Sequence, residues 1–480
     1  MFLQLRLQFG GDGRQTASPS PVQISTNWGK EQLIPNVCQN NRAARLHFAS
    51  MRYTRLPASF FSSNRDRLAA LLPAGALAII SSNDPMPTNA DGTMGFAQNS
   101  DLYYLSGVDQ EETLLVLFPS SHDPKRRAML FLRETSEEIA VWEGAKLTKE
   151  EAREATGIQN VFWLREMERP LREALAEAQS VYLGLNEHVR NGSEVETRER
   201  RFIEQMRRDH PLHELKRLAP LLIPLRMVKA PEEIEAVRQA TRATVAGFER
   251  LLRFVRPGVQ EFEIEAELAH EYLRRRSRVW SFSPIVASGK NATVLHYIEN
   301  NATCQDGELL LLDCAAEYAN YHSDMTRTIP VNGMFTPRQR EVYEAVLRVL
   351  EFSKTQLKPG VLLKDVQKSV EKNMEDELIK LGLLTEEQRA KEDEEKPALK
   401  KFFPHGVSHH IGLDTHDVSL GWVPLAPNMI LTVEPGIYIR DEGLGIRLEN
   451  LIVIGEGENE DLMRGVPLAP DDIDAAMKRD

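Results

Sequence analysis

A cluster of histidines marks residues 405–417 as a candidate metal-binding or catalytic segment. Histidine is the commonest metal ligand and titrates near neutral pH, so such a segment can supply a ligand and proton-transfer groups together. It differs from the helical HExxH zinc motif because Gly406 stands where that motif needs its glutamate. A polar loop with a purely structural role is the alternative interpretation. Four of the twelve histidines of the chain lie here: His405, His409, His410 and His416.

Two aspartates lie near the same end of what the sequence predicts to be a β-hairpin. Residues 308–313 form an apolar run that ends in Asp313, and residues 321–328 return after a short turn. Asp313 and Asp324 are therefore expected roughly opposite each other, where like charges destabilise a sheet. A cation between them would remove the repulsion. The alternative is that one aspartate caps a turn while the other pairs with Arg327.

Two glutamates end further apolar strands, Glu434 after residues 429–433 and Glu449 within residues 445–450. An alternation with a period of two places Glu449 on the same face as Arg447. Each glutamate alone is compatible with a buried ion pair. If these glutamates and the two aspartates converge, four buried carboxylates are too costly to leave without counter-charge, and two divalent cations balance them.

A set of four carboxylates and one imidazole is rich in oxygen. It suits Mn²⁺ best, with Co²⁺ and Fe²⁺ as alternatives, and it contrasts with zinc sites rich in nitrogen and sulfur. Two ions about 3.5 Å apart can hold a bridging hydroxide and clamp an attacked carbonyl group, as in several aminopeptidases. The residues therefore predict two divalent metal ions, with manganese the expected element.

Composition limits the classes of partner and the compartment. The 480 residues are 42% hydrophobic and 27% charged, typical of a globular chain with two folded domains. No apolar run of 18 residues exists to span a bilayer, so no membrane partner is expected. The net charge of −12 repels polyphosphate, so no nucleic acid is expected either. Three cysteines do not make a disulfide framework, which indicates a reducing cytoplasm.

Three regions follow one another along the chain. Residues 1–50 are polar without a period, which predicts a disordered extension or a start codon assigned too far upstream, with a targeting presequence as the alternative. Residues 51–226 alternate helical and strand patterns, as an α/β domain does. The predicted elements there are a helix at Asn64–Leu72, strands at 77–80, 113–118 and 129–132, and a helix start within 98–107 capped by Asn99 or Ser100.

Residues 227–480 repeat one helical pattern. A long amphipathic helix begins at Pro231 and stops before Pro257, and a second begins at Pro337 and stops before Pro359. Each is followed by another amphipathic segment, 262–273 and 366–378. A period of about a hundred residues is too long for a solenoid, so we expect two related halves around a shared sheet. The charged residues Glu386 to Lys396 predict a solvated surface loop.

These motifs resemble the aminopeptidase P and prolidase group of pita-bread metallopeptidases, from Met51 to the C-terminus. The resemblance implies a fold of the α/β (α+β) class, with an aminopeptidase P-type N-terminal domain at 51–226 and a pita-bread catalytic domain with pseudo-twofold halves at 227–480. The matching pieces are Leu312-Asp313, residues 323–328, residues 405–409, residues 432–436 and residues 446–449.

The resemblance also implies a role for each candidate residue. Asp313 would chelate one metal, His409 and Glu434 would hold the other, and Asp324 and Glu449 would bridge the two. Glu434 would also carry the proton from the bridging water to the departing proline nitrogen. The remaining residues would orient the substrate, stabilise the tetrahedral intermediate or pair with the bridging acids: His296, His405, His416 and Arg447.

The implied activity is hydrolysis of the N-terminal Xaa-Pro bond of peptides, with a metal-bridged hydroxide as nucleophile in a homodimer or homotetramer. Residues 98–107 resemble aminopeptidase P more than prolidase, which favours peptides over dipeptides alone. A short link between Glu434 and Glu449 departs from many relatives and is expected to change the wall of the proline pocket. Alternatives are a prolidase, a metal-free creatinase-like enzyme and a metal-free binding homologue, although all five ligand positions are filled.

Overall fold

A computed structural model describes residues 53–278, 280–391 and 397–478. The predicted extension at residues 1–50 lies outside these ranges. Within them, no helix has both the length and the apolar character needed to cross a membrane.

The N-terminal part is a mixed six-stranded sheet with helices on both faces, in the strand order β4-β3-β2-β1-β5-β6. Its strands are β1 (Ala76–Ser81), β2 (Leu114–Leu117), β3 (Ala128–Leu132), β4 (Asn160–Trp163), β5 (Ser180–Leu183) and β6 (Glu214–Arg217). Its helices are α1 (Ala58–Leu71), α2 (Ser100–Ser106), α3 (Glu137–Glu143), α4 (Lys149–Thr156), α5 (Glu168–Glu177), α6 (Arg198–Asp209) and α7 (Ala219–Met227).

Strand β1 is apolar throughout because both of its faces are covered. Ala78 and Ile80 join the main core, whereas Leu77 and Ile79 join a second apolar cluster on the other face. The strand pairs antiparallel with β2 and parallel with β5. A central strand that is buried on both faces has a continuous run of hydrophobic residues in the sequence. This run is the pattern that predicts β1 at residues 77–80.

Two local predictions in this part have different outcomes. Helix α1 begins at Ala58 rather than Asn64, because Phe60 and Phe61 add a buried face that the polar residues between them and Asn64 conceal. The cap of helix α2 is Asn99, whose side chain accepts a hydrogen bond from the Leu102 amide at 3.0 Å.

The C-terminal part contains the two predicted pairs of long helices, α8 with α9 and α10 with α11. The prediction of a surface loop at Glu386 to Lys396 is wrong at the start of this segment, where Thr385 caps a short helix. Residues 392–396 of the segment lie outside the described ranges. The helices are α8 (Pro231–Phe254), α9 (Glu261–Arg274), α10 (Pro337–Gln356), α11 (Leu363–Lys380), α12 (Glu386–Ala390) and α13 (Pro470–Met477).

The strands of the C-terminal part form two three-stranded sheets, β11-β8-β7 and β12-β15-β16, and two hairpins, β9-β10 and β13-β14. The Glu449 amide donates to the Thr326 carbonyl at 3.0 Å, which joins the two sheets. The strands are β7 (Ile285–Ser288), β8 (Leu309–Asp313), β9 (Glu317–Tyr318), β10 (Tyr321–His322), β11 (Thr326–Pro330), β12 (Ile430–Val433), β13 (Gly436–Ile439), β14 (Leu444–Arg447), β15 (Asn450–Val453) and β16 (Glu460–Asp461).

The predicted hairpin exists, with a register that refines the prediction. Asp313 pairs with Thr326, so Asp324 lies two residues before the position opposite Asp313. The turn consists of Ala319 and Asn320, with φ of 54° and 65°. Positive φ at both turn residues matches the right-handed twist of the flanking strands and returns the chain tightly.

Gly445 allows the backbone of β14 to pass close to the backbone at Ala292. A Cβ atom at this position would overlap the carbonyl of Ala292, in the turn that leads to His296. We predict that Gly445→Ala lowers the free energy of unfolding by about 1 to 3 kcal/mol, since the Ala292 backbone must move. Thermal unfolding measures this, with Gly457→Ala as the control because its Cβ would meet open space. Equal melting temperatures for the two variants would contradict the prediction.

Candidate metal centre

Four carboxylates from separate strand ends converge between the two sheets of the C-terminal part. Asp313 is the last residue of β8, and Asp324 precedes β11. Glu434 follows β12, and Glu449 lies in the link between β14 and β15. Strand β14 ends at Arg447, so the alternation predicted for residues 445–450 does not continue as one strand, yet both Arg447 and Glu449 contact Thr326.

His409 approaches this group of acids through one ring nitrogen. Its Nε2 lies 3.6 Å from an oxygen of Asp324 and 3.6 Å from an oxygen of Glu434. Its Nδ1 lies 3.0 Å from the His410 carbonyl and donates to it, which leaves Nε2 with a free lone pair. The potential ligand atoms of Asp324, His409 and Glu449 all lie within 4.8 Å of one another.

Arg447 is buried among the acids. It donates to Asp313, to the Tyr438 hydroxyl at 2.7 Å and to the Thr326 hydroxyl at 3.2 Å. The Thr326 hydroxyl in turn donates to Glu449 at 2.7 Å. One guanidinium group balances only one of four negative charges.

Two carboxylate oxygens at the centre are left without a partner. Asp313 Oδ1 and Glu449 Oε1 are buried and accept no hydrogen bond from the described residues. A buried carboxylate oxygen without a donor is costly, so the pattern fits a cation at this position. The oxygen-rich donors, together with the free Nε2 of His409, are chemically suited to divalent metal ions.

The electrostatics of the centre agree with this fit. Burial raises the pKa of Glu434 to about 8, and the Asp313 charge adds to the increase. Burial also raises the pKa of Asp324 and of Glu449 well above the usual range for carboxyl groups, and the neighbouring acids add to it. The acids therefore need either protons or cations near neutral pH.

The second-sphere histidines lie beside the acids. His405 Nε2 is 2.9 Å from the Tyr438 hydroxyl, and its Nδ1 is 2.8 Å from the Gly406 carbonyl. A chain of hydrogen bonds therefore runs from Arg447 through Tyr438 to His405. Burial lowers the pKa of His405 to about 3, and the positive charge of Arg447 adds to this decrease, so the ring is neutral at pH 7.

His416 and His296 lie at the open side of the centre. The His416 ring meets the His409 ring edge-on, with the centroids 4.5 Å apart. Burial lowers the pKa of His416 to about 4, with further contributions from Arg190, His188 and His296. His296 is exposed, and its charge also contributes to the lowered pKa of His405, so all the predicted histidines share one region.

Sequence analysis missed Tyr438 and Thr326. Tyr438 pairs with Gly445 in the hairpin of β13 and β14. The next cross-strand pair on the same face of this hairpin is Gly436 with Arg447. Cross-strand partners share a face, so the pairing of β13 with β14 is the signal that could have found it. The position of Thr326 likewise follows only from the register of β11 against β8.

Two family models match the chain. One is described as metallopeptidase family M24 and matches residues 235–456; the other is described as the aminopeptidase P N-terminal domain and matches residues 61–182. The Xaa-Pro aminopeptidase of Escherichia coli strain K12 is 34% identical over 436 residues, which cover 87% of this chain and 97% of that protein. The Xaa-Pro aminopeptidase of Haemophilus influenzae is 32% identical over 437 residues, covering 88% and 98% of the two chains.

Solved structures give the same relationship. A variant of E. coli aminopeptidase P in complex with substrate has a TM-score of 0.80 and 33% identity, covering 88% of this chain and 99% of that one. The zinc-substituted E. coli enzyme in complex with product has a TM-score of 0.79 at the same identity and coverage. The predicted fold class and family are confirmed. The chain belongs to the aminopeptidase P family of M24 metallopeptidases and is a hydrolase of the Xaa-Pro aminopeptidase type.

Proposed function

We propose that the protein hydrolyses the N-terminal Xaa-Pro bond of peptides with proline in the second position, using two divalent metal ions. The observation that carries this proposal is the convergence of four carboxylates, two buried and two half-buried, beside the free Nε2 of His409. Unpartnered oxygens on Asp313 and Glu449 support it, because each is a buried carboxylate oxygen that accepts no hydrogen bond from the described residues.

Each candidate ligand has a proposed place. Asp313 would hold one ion, His409 and Glu434 would hold the other, and Asp324 and Glu449 would bridge the two. Four carboxylates and one imidazole favour Mn²⁺ over zinc. When bound, the two ions would polarise the scissile carbonyl group and lower the pKa of a water molecule that attacks it.

Glu434 is the acid best placed to move a proton. Its side chain is 20% exposed, whereas that of Asp324 is 7% exposed, so Glu434 can face a substrate. It also lies 3.8 Å from the His405 ring. We assign it the transfer of a proton from the attacking water to the departing proline nitrogen.

The histidines supply hydrogen-bonding groups without adding charge. Lowered pKa values keep His405 and His416 neutral at pH 7; desolvation of the ring is the main cause for both, and it is only partial at His416, whose side chain is exposed. A neutral imidazole close to the reacting carbonyl can donate to the oxygen on which negative charge develops. His405 would act there by turning its single N–H, on Nδ1, from the Gly406 carbonyl to the substrate, while the exposed His296 and His416 would orient the peptide at the opening. Arg447 would hold Asp313 and, through Thr326, Glu449.

The match of residues 61–182 to the aminopeptidase P N-terminal domain supports peptides, rather than dipeptides alone, as substrates. We place the boundary between the two domains at residues 226 and 227, the last two residues of α7, just before the linker to α8. A homodimer or homotetramer in the cytoplasm is part of the same proposal. Cys304 and Cys314 are both free and buried, which is compatible with a reducing compartment.

Chelation tests the metal requirement and the substrate class together. We predict that EDTA abolishes release of arginine from Arg-Pro-Pro and that Mn²⁺ restores it. The tripeptide should be cleaved faster than an Xaa-Pro dipeptide, and Arg-Ala-Pro is the control that should remain intact. Activity indifferent to chelation would point to a metal-free enzyme, and faster cleavage of the dipeptide would point to a prolidase.

Substitutions separate the ligands from the histidines of the second sphere. We predict that Asp324→Ala or Glu449→Ala abolishes turnover and lowers metal content, because each change removes a bridge. His405→Ala should lower kcat about a hundredfold with near-normal metal content, since it removes one group that stabilises the transition state. Initial rates and elemental analysis measure both quantities. Full activity after Asp324→Ala, or metal loss after His405→Ala, would contradict these roles.

The raised pKa of Glu434 predicts how its charge affects stability. Between its ordinary pKa of 4.5 and the folded value of about 8, the metal-free folded state holds a proton that the unfolded state has lost. The stability contributed by this group therefore falls as pH rises through that window. We predict that, in EDTA, Glu434→Gln raises the melting temperature by more at pH 8 than at pH 5.

Mn²⁺ should reverse the sign of this difference, because the wild-type protein gains binding energy that the variant partly loses. Glu456→Gln is the control, since Glu456 is exposed and outside the centre. A melting-temperature difference for Glu434→Gln that does not change between pH 5 and pH 8 would count against a buried, uncompensated carboxylate.

A further inference from the structure

A buried charge cluster connects the N-terminal sheet domain with the histidine segment; its members are Arg226, Lys229, Asp101, Asp414 and Asp417, here called the Arg226 cluster. The Arg226 guanidinium, at the end of α7, donates to Asp101 at 2.8 Å, to Asp414 at 2.7 Å and to Asp417 at 2.5 Å. Lys229 donates to the second oxygen of Asp417 at 2.8 Å. The three central members are 2 to 3% exposed.

The charged side chains of the Arg226 cluster stand where apolar side chains could pack. This choice indicates that the cluster fixes the geometry of the loop rather than adding stability. A buried ion pair stabilises a fold little better than apolar groups of the same volume, because desolvation offsets the attraction. Burial raises the pKa of Asp417, but Arg226 and Lys229 outweigh that effect and lower it well below its ordinary value. Asp417 is therefore held in its charged form, and the fork-shaped hydrogen bonds of Arg226 fix directions that apolar contacts would leave free.

Backbone hydrogen bonds at the acids of the cluster close the histidine segment into a tight loop. The Asp417 amide donates to the His410 carbonyl at 2.9 Å, and the Gly412 amide donates to the Asp414 carbonyl at 3.1 Å. A Cβ atom at Gly412 would overlap the Asp417 carboxylate, so the loop passes directly over that side chain. His416 lies between the two anchored aspartates, with its ring against His409.

The N-terminal domain supplies the other half of the anchor. Ser100 and Asp101 begin helix α2, and the Ser100 hydroxyl donates to Asp414 at 2.8 Å while Asp101 accepts from Arg226. Asn99, which caps this helix, also donates to the buried Glu199 at 2.7 Å. The first turn of α2 is therefore fixed within its own domain and contacts the loop that carries His416.

We propose that Arg226 is a positioning residue for the hydrolysis. Arg226 binds Asp101 of the N-terminal domain together with Asp414 and Asp417 of the histidine segment. The contact between the N-terminal domain and this segment therefore sets the orientation of His416 at the metal centre. This role rests on the proposed Xaa-Pro hydrolysis. Arg226 does not touch the acids of the metal centre in the contacts described, so it acts through the loop rather than on the substrate.

Asp414→Ala is the most informative change. The Asp414 side chain is 47% exposed, so its removal leaves Arg226 paired with Asp101 and Asp417 and the fold intact. We predict that kcat on Arg-Pro-Pro falls about tenfold, because a loosely held catalytic group loses alignment. KM, metal content and melting temperature should remain near the wild-type values. Arg226→Lys should have a similar effect, since one ammonium group cannot make three directed contacts.

A double-mutant cycle distinguishes positioning from a general structural role. If the cluster acts through His416, then Asp414→Ala costs nothing further once His416→Ala has removed that ring. The double variant should be within twofold of His416→Ala alone. Arg67→Met is the matched control, because Arg67 in α1 also binds α7, through the Leu225 carbonyl at 3.2 Å, without reaching the loop.

Each other outcome overturns the proposal. Fully additive losses in the double variant would show a role unrelated to His416, and so would an equal loss in Arg67→Met. An unchanged kcat in Asp414→Ala and Arg226→Lys, with active wild-type protein, would overturn the positioning role alone. Wild-type protein that binds Mn²⁺ yet cleaves no Xaa-Pro peptide would overturn the proposed function and this role with it.

Discussion

Mutual repulsion among four carboxylates gathered at one buried or half-buried site is the constraint on which this structure depends. The acids come from four chain positions in two sheets, so folding itself creates the repulsion. Arg447 relieves part of it by donating to Asp313 and, through Thr326, by reaching Glu449. The remainder requires protons or added cations, which makes metal binding a consequence of how the strands end.

Thr326 shows how closely the two halves depend on each other. Its carbonyl accepts from the Glu449 amide, while its hydroxyl accepts from Arg447 and donates to Glu449. Thr328 repeats the link one pleat further along, exchanging hydrogen bonds with the Arg447 backbone. The acids therefore cannot separate without breaking the junction of the two sheets, and their spacing is set by backbone pairing rather than by flexible side chains.

Much of this centre could be predicted because its signals are local. A carboxylate at the end of an apolar strand, as at Asp313 and Glu434, or a run of histidines is visible within ten residues. The start of α1 was misplaced because Phe60 and Phe61 bury a face that the intervening polar residues obscure. The offset of Asp324 from Asp313 depends on the Ala319–Asn320 turn, whose non-glycine residues adopt positive φ without a sequence signal.

Long-range pairings set the limit of prediction from sequence. Tyr438 becomes part of the centre only through the pairing of β13 with β14. Arg226 gives no signal of its own, because its acceptors lie 125, 188 and 191 residues away along the chain. A lone arginine near the end of a helix is usually solvated, and only tertiary contact shows that this one is buried.

The same chain treats its two acid clusters in opposite ways. Asp101, Asp414 and Asp417 meet Arg226 and Lys229, so three negative charges face two positive charges supplied by the protein itself. Asp313, Asp324, Glu434 and Glu449 have Arg447 as the guanidinium partner described among them, and two of their oxygens accept no hydrogen bond from the described residues. A fold able to neutralise one cluster internally has no structural need to leave the other deficient. The shortage of positive charge around Asp313, Asp324, Glu434 and Glu449 is therefore explained by function rather than by folding. A site that lacks positive charge can attract metal ions and keep them.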